Sequence, residues 1–202
     1  LVMGASTEIA VDNMRNAIMK MDAPTAQAVI DGDDAIDLLE NQIDSSSLSI
    51  LARTQPVAGD LRFVVATLRI VVDMERIGDQ AEDIAEIVAF LDGRQAENDA
   101  LLKEMAKAVI QMVTESVDAY VKCDIMLAKK VIAADDVVDE QFARVKQSLI
   151  GKIAADPADG EYALDLLMIA KYYERIGDHA TNIAEWVIYS VTGTHKDEIT
   201  LT

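Results

Sequence analysis

Apolar residues recur along this chain at spacings of three and four rather than two, so the pattern predicts helices and not sheets. One stretch shows it most clearly: Ile70, Met74, Ile77, Ala81, Ile84, Val88 and Leu91 fall on a single apolar line. Ile176, Ala180, Ile183 and Val187 form a similar line later in the chain. Six helical stretches are predicted, over residues 2–20, 22–52, 60–91, 97–122, 124–153 and 161–191. Asp22 with Pro24 reads as a helix start, and Asp60 is expected to cap the third stretch. Turns are expected at residues 54–59, 92–94 and 154–160, with a polar tail over 192–202. Helices this long with short connections describe antiparallel bundles.

Three stretches precede residue 95 and three follow it, and the halves are copies. Val29-Ile-Asp-Gly-Asp-Asp-Ala-Ile-Asp37 returns as Val131-Ile-Ala-Ala-Asp-Asp-Val-Val-Asp139. Glu75-Arg-Ile-Gly-Asp-Gln-Ala-Glu-Asp-Ile-Ala-Glu86 returns as Glu174-Arg-Ile-Gly-Asp-His-Ala-Thr-Asn-Ile-Ala-Glu185. The expected fold is therefore all-α, two tandem antiparallel three-helix bundles, divided into residues 1–93 and 94–202.

Composition sharpens this picture. The 202 residues carry 18 Lys and Arg against 36 Asp and Glu, a net charge of −18, which disfavours nucleic acid and anionic lipid as partners. One cysteine, Cys123, allows no internal disulfide and suits a reducing compartment; it reads as a small buried apolar residue. No stretch reaches the ~20 apolar residues of a membrane span, so no direct membrane insertion is expected. The chain opens on Leu1 inside a helical pattern, so residues upstream of it are expected.

The acidic residues are patterned as well. Glu75, Asp79, Asp83 and Glu86 lie nearly opposite the apolar line of their helix; Glu174, Asp178, Asn182 and Glu185 repeat the arrangement. Asp33, Asp37, Glu40 and Asp44 share one line on the second stretch, and Asp135 and Asp139 share one on the fifth. Residues level with each other in an antiparallel hairpin have numbers that sum to twice the turn centre. That rule brings Asp33 and Asp37 level with Asp79 and Glu75, and Asp135 and Asp139 level with Asp178 and Glu174.

Like charges at i,i+4 repel, and a cation would relieve four converging carboxylates. All-oxygen ligand sets suit Mg²⁺, Ca²⁺ or Mn²⁺, and carboxylates also bridge iron. The competing reading is a solvated acidic helix face. The candidate metal ligands are Asp33, Asp37, Glu75, Asp79 and Asp83 in the first half, and Asp135, Asp139, Glu174 and Asp178 in the second.

Arg76 and Arg175 read as ion-pair partners that orient these carboxylates, and Gly78 and Gly177 as points of close helix approach. His179, with Gln80 at the matching place, reads as a surface or flanking residue, and Trp186 and Met74 as packing. No Glu-x-x-His, phosphate-binding loop or nucleophile with a neighbouring base is present, so no catalytic residue is assigned.

The repeated Glu-Arg-Ile-Gly-Asp segments, together with Leu51-Ala-Arg-Thr-Gln-Pro-Val-Ala-Gly-Asp-Leu-Arg62 and Asp73-Met-Glu-Arg-Ile-Gly-Asp79, resemble the PhoU family of bacterial phosphate-uptake regulators over nearly the whole chain. PhoU-like chains begin with a longer first helix. The resemblance implies a non-enzymatic homodimer. It would lie in the cytoplasm at the inner face of the membrane and restrain the ATPase of a phosphate ABC transporter and a phosphate-sensing histidine kinase.

Some relatives bind multinuclear metal, often iron, through paired acidic motifs. This resemblance implies divalent or trivalent ions, with iron favoured over Mg, Mn, Ca or Zn. Its motifs fall on Asp33/Asp37, Glu75/Asp79, Asp135/Asp139 and Glu174/Asp178. Asn182, Phe142 and Lys146 replace Asp83, Glu40 and Asp44 in the second half, which predicts weaker metal binding there. Two other classes remain open: a metal-dependent hydrolase or oxidase, and a non-catalytic acidic scaffold.

Overall fold

The computed structural model describes residues 1–20, 22–88, 91 and 100–194. They form six α-helices, with no strand among the described residues: α1 (Val2–Lys20), α2 (Ala23–Thr54), α3 (Ala58–Val88), α4 (Ala100–Lys122), α5 (Ile125–Ala155) and α6 (Gly160–Thr192). Helices α1–α3 pack on one another as one antiparallel bundle and α4–α6 as a second. The two bundles join chiefly through α3 against α6, and less through α1 against α4. Buried side chains form one continuous core across that junction.

The apolar lines explain the packing. Every member of the line from Ile70 to Leu91 is at most 4% exposed, and Ile176, Ala180, Ile183 and Val187 are completely buried. Asp22 is the N-cap of α2 with Pro24 in its first turn, and Thr25 donates a hydrogen bond to the Asp22 carboxylate. Asp124 caps α5 by accepting from the backbone N–H groups of Met126 and Leu127, at 2.9 and 3.0 Å.

The structure corrects some of the sequence expectations. α3 begins at Ala58, so Asp60 lies inside the first turn and is not the cap; there it still faces the positive end of the helix. Cys123 is exposed rather than buried, because it sits just past the end of α4 with φ 50. The turn at residues 92–94, the boundary at 93 and 94, and residues 195–202 of the expected tail lie outside the described residues. Thr192 belongs to α6, which Gly193 ends at φ 80.

α3 and α6 run antiparallel, as contacts spread along both helices show. Arg62 packs on Gly193, the Arg69 guanidinium lies 5.9 Å from the Trp186 ring, and Asp73 meets His179.

Candidate metal centre

The hairpin geometry sets the first acidic cluster. α2 ends at Thr54 and α3 starts at Ala58, so the connection centres on Pro56 and level residues have numbers summing to 112. Asp33 with Asp79, and Asp37 with Glu75, satisfy that sum. Asp33, Asp37 and Asp79 each place a carboxylate oxygen within 4.8 Å of the others. The Oδ1 atoms of Asp33 and Asp37 are buried with no hydrogen-bond partner. Such atoms are costly unless something fills the gap.

Gly78 makes room for this arrangement. A Cβ at that position would stand 2.9 Å from Asp33 Oδ1 and 3.1 Å from Ile36 Cδ1. α2 therefore rests Asp33 directly on the α3 backbone.

Electrostatics records the crowding. Burial, and then the charges of Glu82, Asp37, Asp79 and Glu75, push the Asp33 carboxyl up from 3.8 to about 7. Glu75, Asp79, Asp83 and Glu40 are also raised, burial being the largest cause each time. Cations partly offset this. Arg76 lies 3.4 Å from both Glu75 and Asp79, as its position beside the acidic line suggested. Arg175, reaching from the second repeat, lowers Asp79 and Asp83.

Glu75 and Asp83 are half-buried on the same helix as Asp79 but stand outside the tight triad. Glu82 escaped the sequence reading. Its charge is the first after burial to raise Asp33, and it is raised in turn by burial and by Glu86, Asp79 and Asp83. Its place three residues after Asp79 puts it on the adjoining helix face, which is the signal that could have found it.

The second repeat is looser. Asp135 and Glu174 are half-buried, whereas Asp139 and Asp178 are exposed. Among the described residues, these four do not form a group like the first triad. The Cβ that Gly177 lacks would meet Val138 at 3.4 Å and Asp135 Oδ1 only at 3.8 Å. Lys171 pairs with Glu174, and Lys171 and Lys146 both lie within 5.7 Å of the Phe142 ring centre. Although Asp178 is exposed as a residue, partial burial of its carboxyl raises it, and then Glu174 and Asp135, with Lys171 acting against them. Lys171 stands where the first repeat has Val72, so this site carries a second cation besides Lys146.

His179 flanks the acidic clusters, outside the tight triad, and has a partner there. Its Nδ1 lies 2.9 Å from Asp73 Oδ1, which also accepts from Asn182 Nδ2 at 3.1 Å. Asp73 is 13% exposed, so the contact ties α3 to α6 beside both acidic clusters.

The first triad fits a hard cation: three carboxylates converge, and two of their oxygens are buried and unpartnered. The protein thus defines a class, a tandem three-helix bundle with duplicated acidic pairs on its facing helices. The PhoU domain family model matches residues 1–88 and 102–187, and the chain belongs to the PhoU family.

Its relatives agree along their length. The phosphate-specific transport system accessory protein PhoU homolog of Pseudomonas aeruginosa is 37% identical, the match covering all of this chain and 84% of that protein. The Clostridium acetobutylicum protein of the same name is 35% identical, with 98% and 91% covered. The crystal structure of PhoU from P. aeruginosa superposes with a TM-score of 0.92 at 37% identity, over 96% of this chain and 94% of that one. The phosphate transport system regulatory protein PhoU of Streptococcus pneumoniae gives 0.88 at 25% identity, over 96% and 91%.

Proposed function

We propose that this protein is an accessory regulator of a phosphate transport system. In this reading it works from the cytoplasmic side of the membrane as a homodimer. It restrains the transporter's ATPase and holds a phosphate-sensing histidine kinase inactive when phosphate is plentiful. The observation that carries the reading is the match in sequence and in fold over nearly the whole chain to proteins named for that role. The net charge of −18 argues for protein partners over nucleic acid, and no described helix is long and apolar enough to cross a membrane.

In the same proposal, Asp33, Asp37 and Asp79 hold a metal ion, with Glu75 and Asp83 available to complete its shell or to hold a second ion. Asp135, Asp139, Glu174 and Asp178 form a weaker site. A bound cation supplies positive charge to carboxylates that burial and mutual repulsion otherwise drive toward protonation. Arg76 and Arg175 orient the acids and compete with the cation for them.

Two experiments test the reading. In a bacterium lacking its own homologue, expression of this chain should restore repression of phosphate-starvation genes in phosphate-rich medium; continued derepression would refute the role. Elemental analysis of protein purified without chelator should find metal, reduced more by Asp79→Ala than by Asp178→Ala. Equal losses would show that the difference between the two sites does not control affinity.

A further inference from the structure

A second feature lies far from the acidic clusters in character. Between the C-terminal half of α1 and the start of α4 is an open cavity of about 560 Å³, within the ~300–1,000 Å³ of small-molecule sites. Four cations line it, Arg15, Lys20, Lys103 and Lys107, against one carboxylate among the described lining residues, Glu104. In a chain of net charge −18 that is a local reversal of sign.

Lys20, Lys103 and Lys107 make no ion pair among the described residues, whereas Arg15 is held by Asp12 at 2.8 Å and reaches Asn16 at 3.2 Å. Lys103 also breaks a local rule. It stands in the first turn of α4, which carries no acidic residue, so its charge adds to the positive end of the helix dipole. Rules of this kind are broken where function demands it.

We propose that this cavity binds a small organic phosphate, its phosphate groups held by Arg15, Lys20, Lys103 and Lys107. Phosphate matches several convergent donors because each group carries about −1.5 to −2 charges and three acceptor oxygens. Met19 and the lysine stems supply apolar surface for the organic part. A nucleic acid or an extended acidic peptide is disfavoured by the net charge of −18 on the chain as a whole. A compact anion feels chiefly the cations within the ~8–10 Å screening length.

The test uses the full chain with chelator present, so that no metal links the probe to the carboxylates. ADP is titrated calorimetrically at about 50 mM salt. One ADP per chain should bind with Kd below about 1 mM, and Lys103→Ala/Lys107→Ala should weaken it at least about tenfold. Both lysines are exposed, so the double variant keeps its fold, which an unchanged helical spectrum verifies. Lys129→Ala, an exposed lysine on α5, should leave binding unchanged. Absence of binding up to about 5 mM ADP, unaltered affinity in the double variant, or equal weakening by Lys129→Ala overturns the proposal.

Discussion

Replacing Gly78 and Gly177 by alanine, one at a time, should give unequal results although the two glycines occupy matching places in the repeats. Alanine is favoured over glycine inside a helix by about 0.8–1.0 kcal/mol. At Gly177 the new methyl meets Val138 at 3.4 Å and nothing nearer, so most of that gain should survive. At Gly78 it would stand 2.9 Å from Asp33 Oδ1 and 3.1 Å from Ile36 Cδ1. Ile36 is 2% exposed and has little room to yield, so overpacking of about 1–2 kcal/mol offsets the gain. The Asp33 carboxylate can swing away, but only by leaving the triad. Gly177→Ala should therefore exceed Gly78→Ala in stability by roughly 1–2 kcal/mol, or about 3–6 °C in melting temperature for a chain of this size. Thermal unfolding in chelator measures this, and metal titration should show affinity lost in Gly78→Ala alone. Two variants that melt together and bind metal equally would refute the account of Gly78 as the seat of Asp33.

Metal-free protein should be more stable at pH 5 than at pH 8, because a carboxyl that binds its proton more tightly when folded favours the folded state at low pH. Asp33, raised to about 7, loses that contribution as pH climbs from about 4 through 7; screening of its half-exposed surroundings reduces the effect to about 1 kcal/mol, and urea unfolding that gains stability with pH would contradict it. His179→Ala should cost about 1–2 kcal/mol by removing a partner from the nearly buried Asp73. His179→Gln, which keeps a donor as Gln80 does at the matching place in the first repeat, should recover part of the loss; equal unfolding midpoints for the two variants would argue against the hydrogen bond.

What could be read in the sequence followed from helix periodicity and from its doubling. Ile70, Met74 and Ile77 are core because spacings of three and four leave them no other face. Asp33 meets Asp79 because a tight antiparallel hairpin permits one register, set by a turn whose position Pro56 marks. Neither inference needs to know how the bundles dock. Asp73 with His179 does: the partners are 106 residues apart and meet only because α3 lies antiparallel on α6. Arg175 acting on Asp79 was hidden for the same reason. Glu82 was missed because a single stripe treats the helix as having one acidic line, whereas α2 leans over two adjoining lines. Cys123 was misread because composition says what a residue prefers, while the left-handed backbone at the end of α4 decides where it points.

The same docking gives the divergence of the repeats a physical meaning. Two equal acidic clusters flanking one α3–α6 interface would repel each other, since α3 and α6 each carry half of their own cluster. In the second repeat, Asn182 and Lys146 stand where the first has Asp83 and Asp44, and Lys171 stands where it has Val72. Asn182 is then free of charge to donate to Asp73, which a carboxylate there could not do at neutral pH. His179 and Arg175 face the same way, from the second repeat toward acids of the first. The duplication has thus become a division of roles. One repeat concentrates carboxylates over Gly78, and the other adds donors and cations to the balance that Arg76 begins. Substitutions on α6 that replace no candidate ligand of the first site, Arg175→Ala above all, should therefore raise the affinity of that site for a cation by freeing Asp79 and Asp83. A metal titration in which Arg175→Ala weakens the site, or leaves it unchanged, would show that the second repeat does not balance the charge of the first.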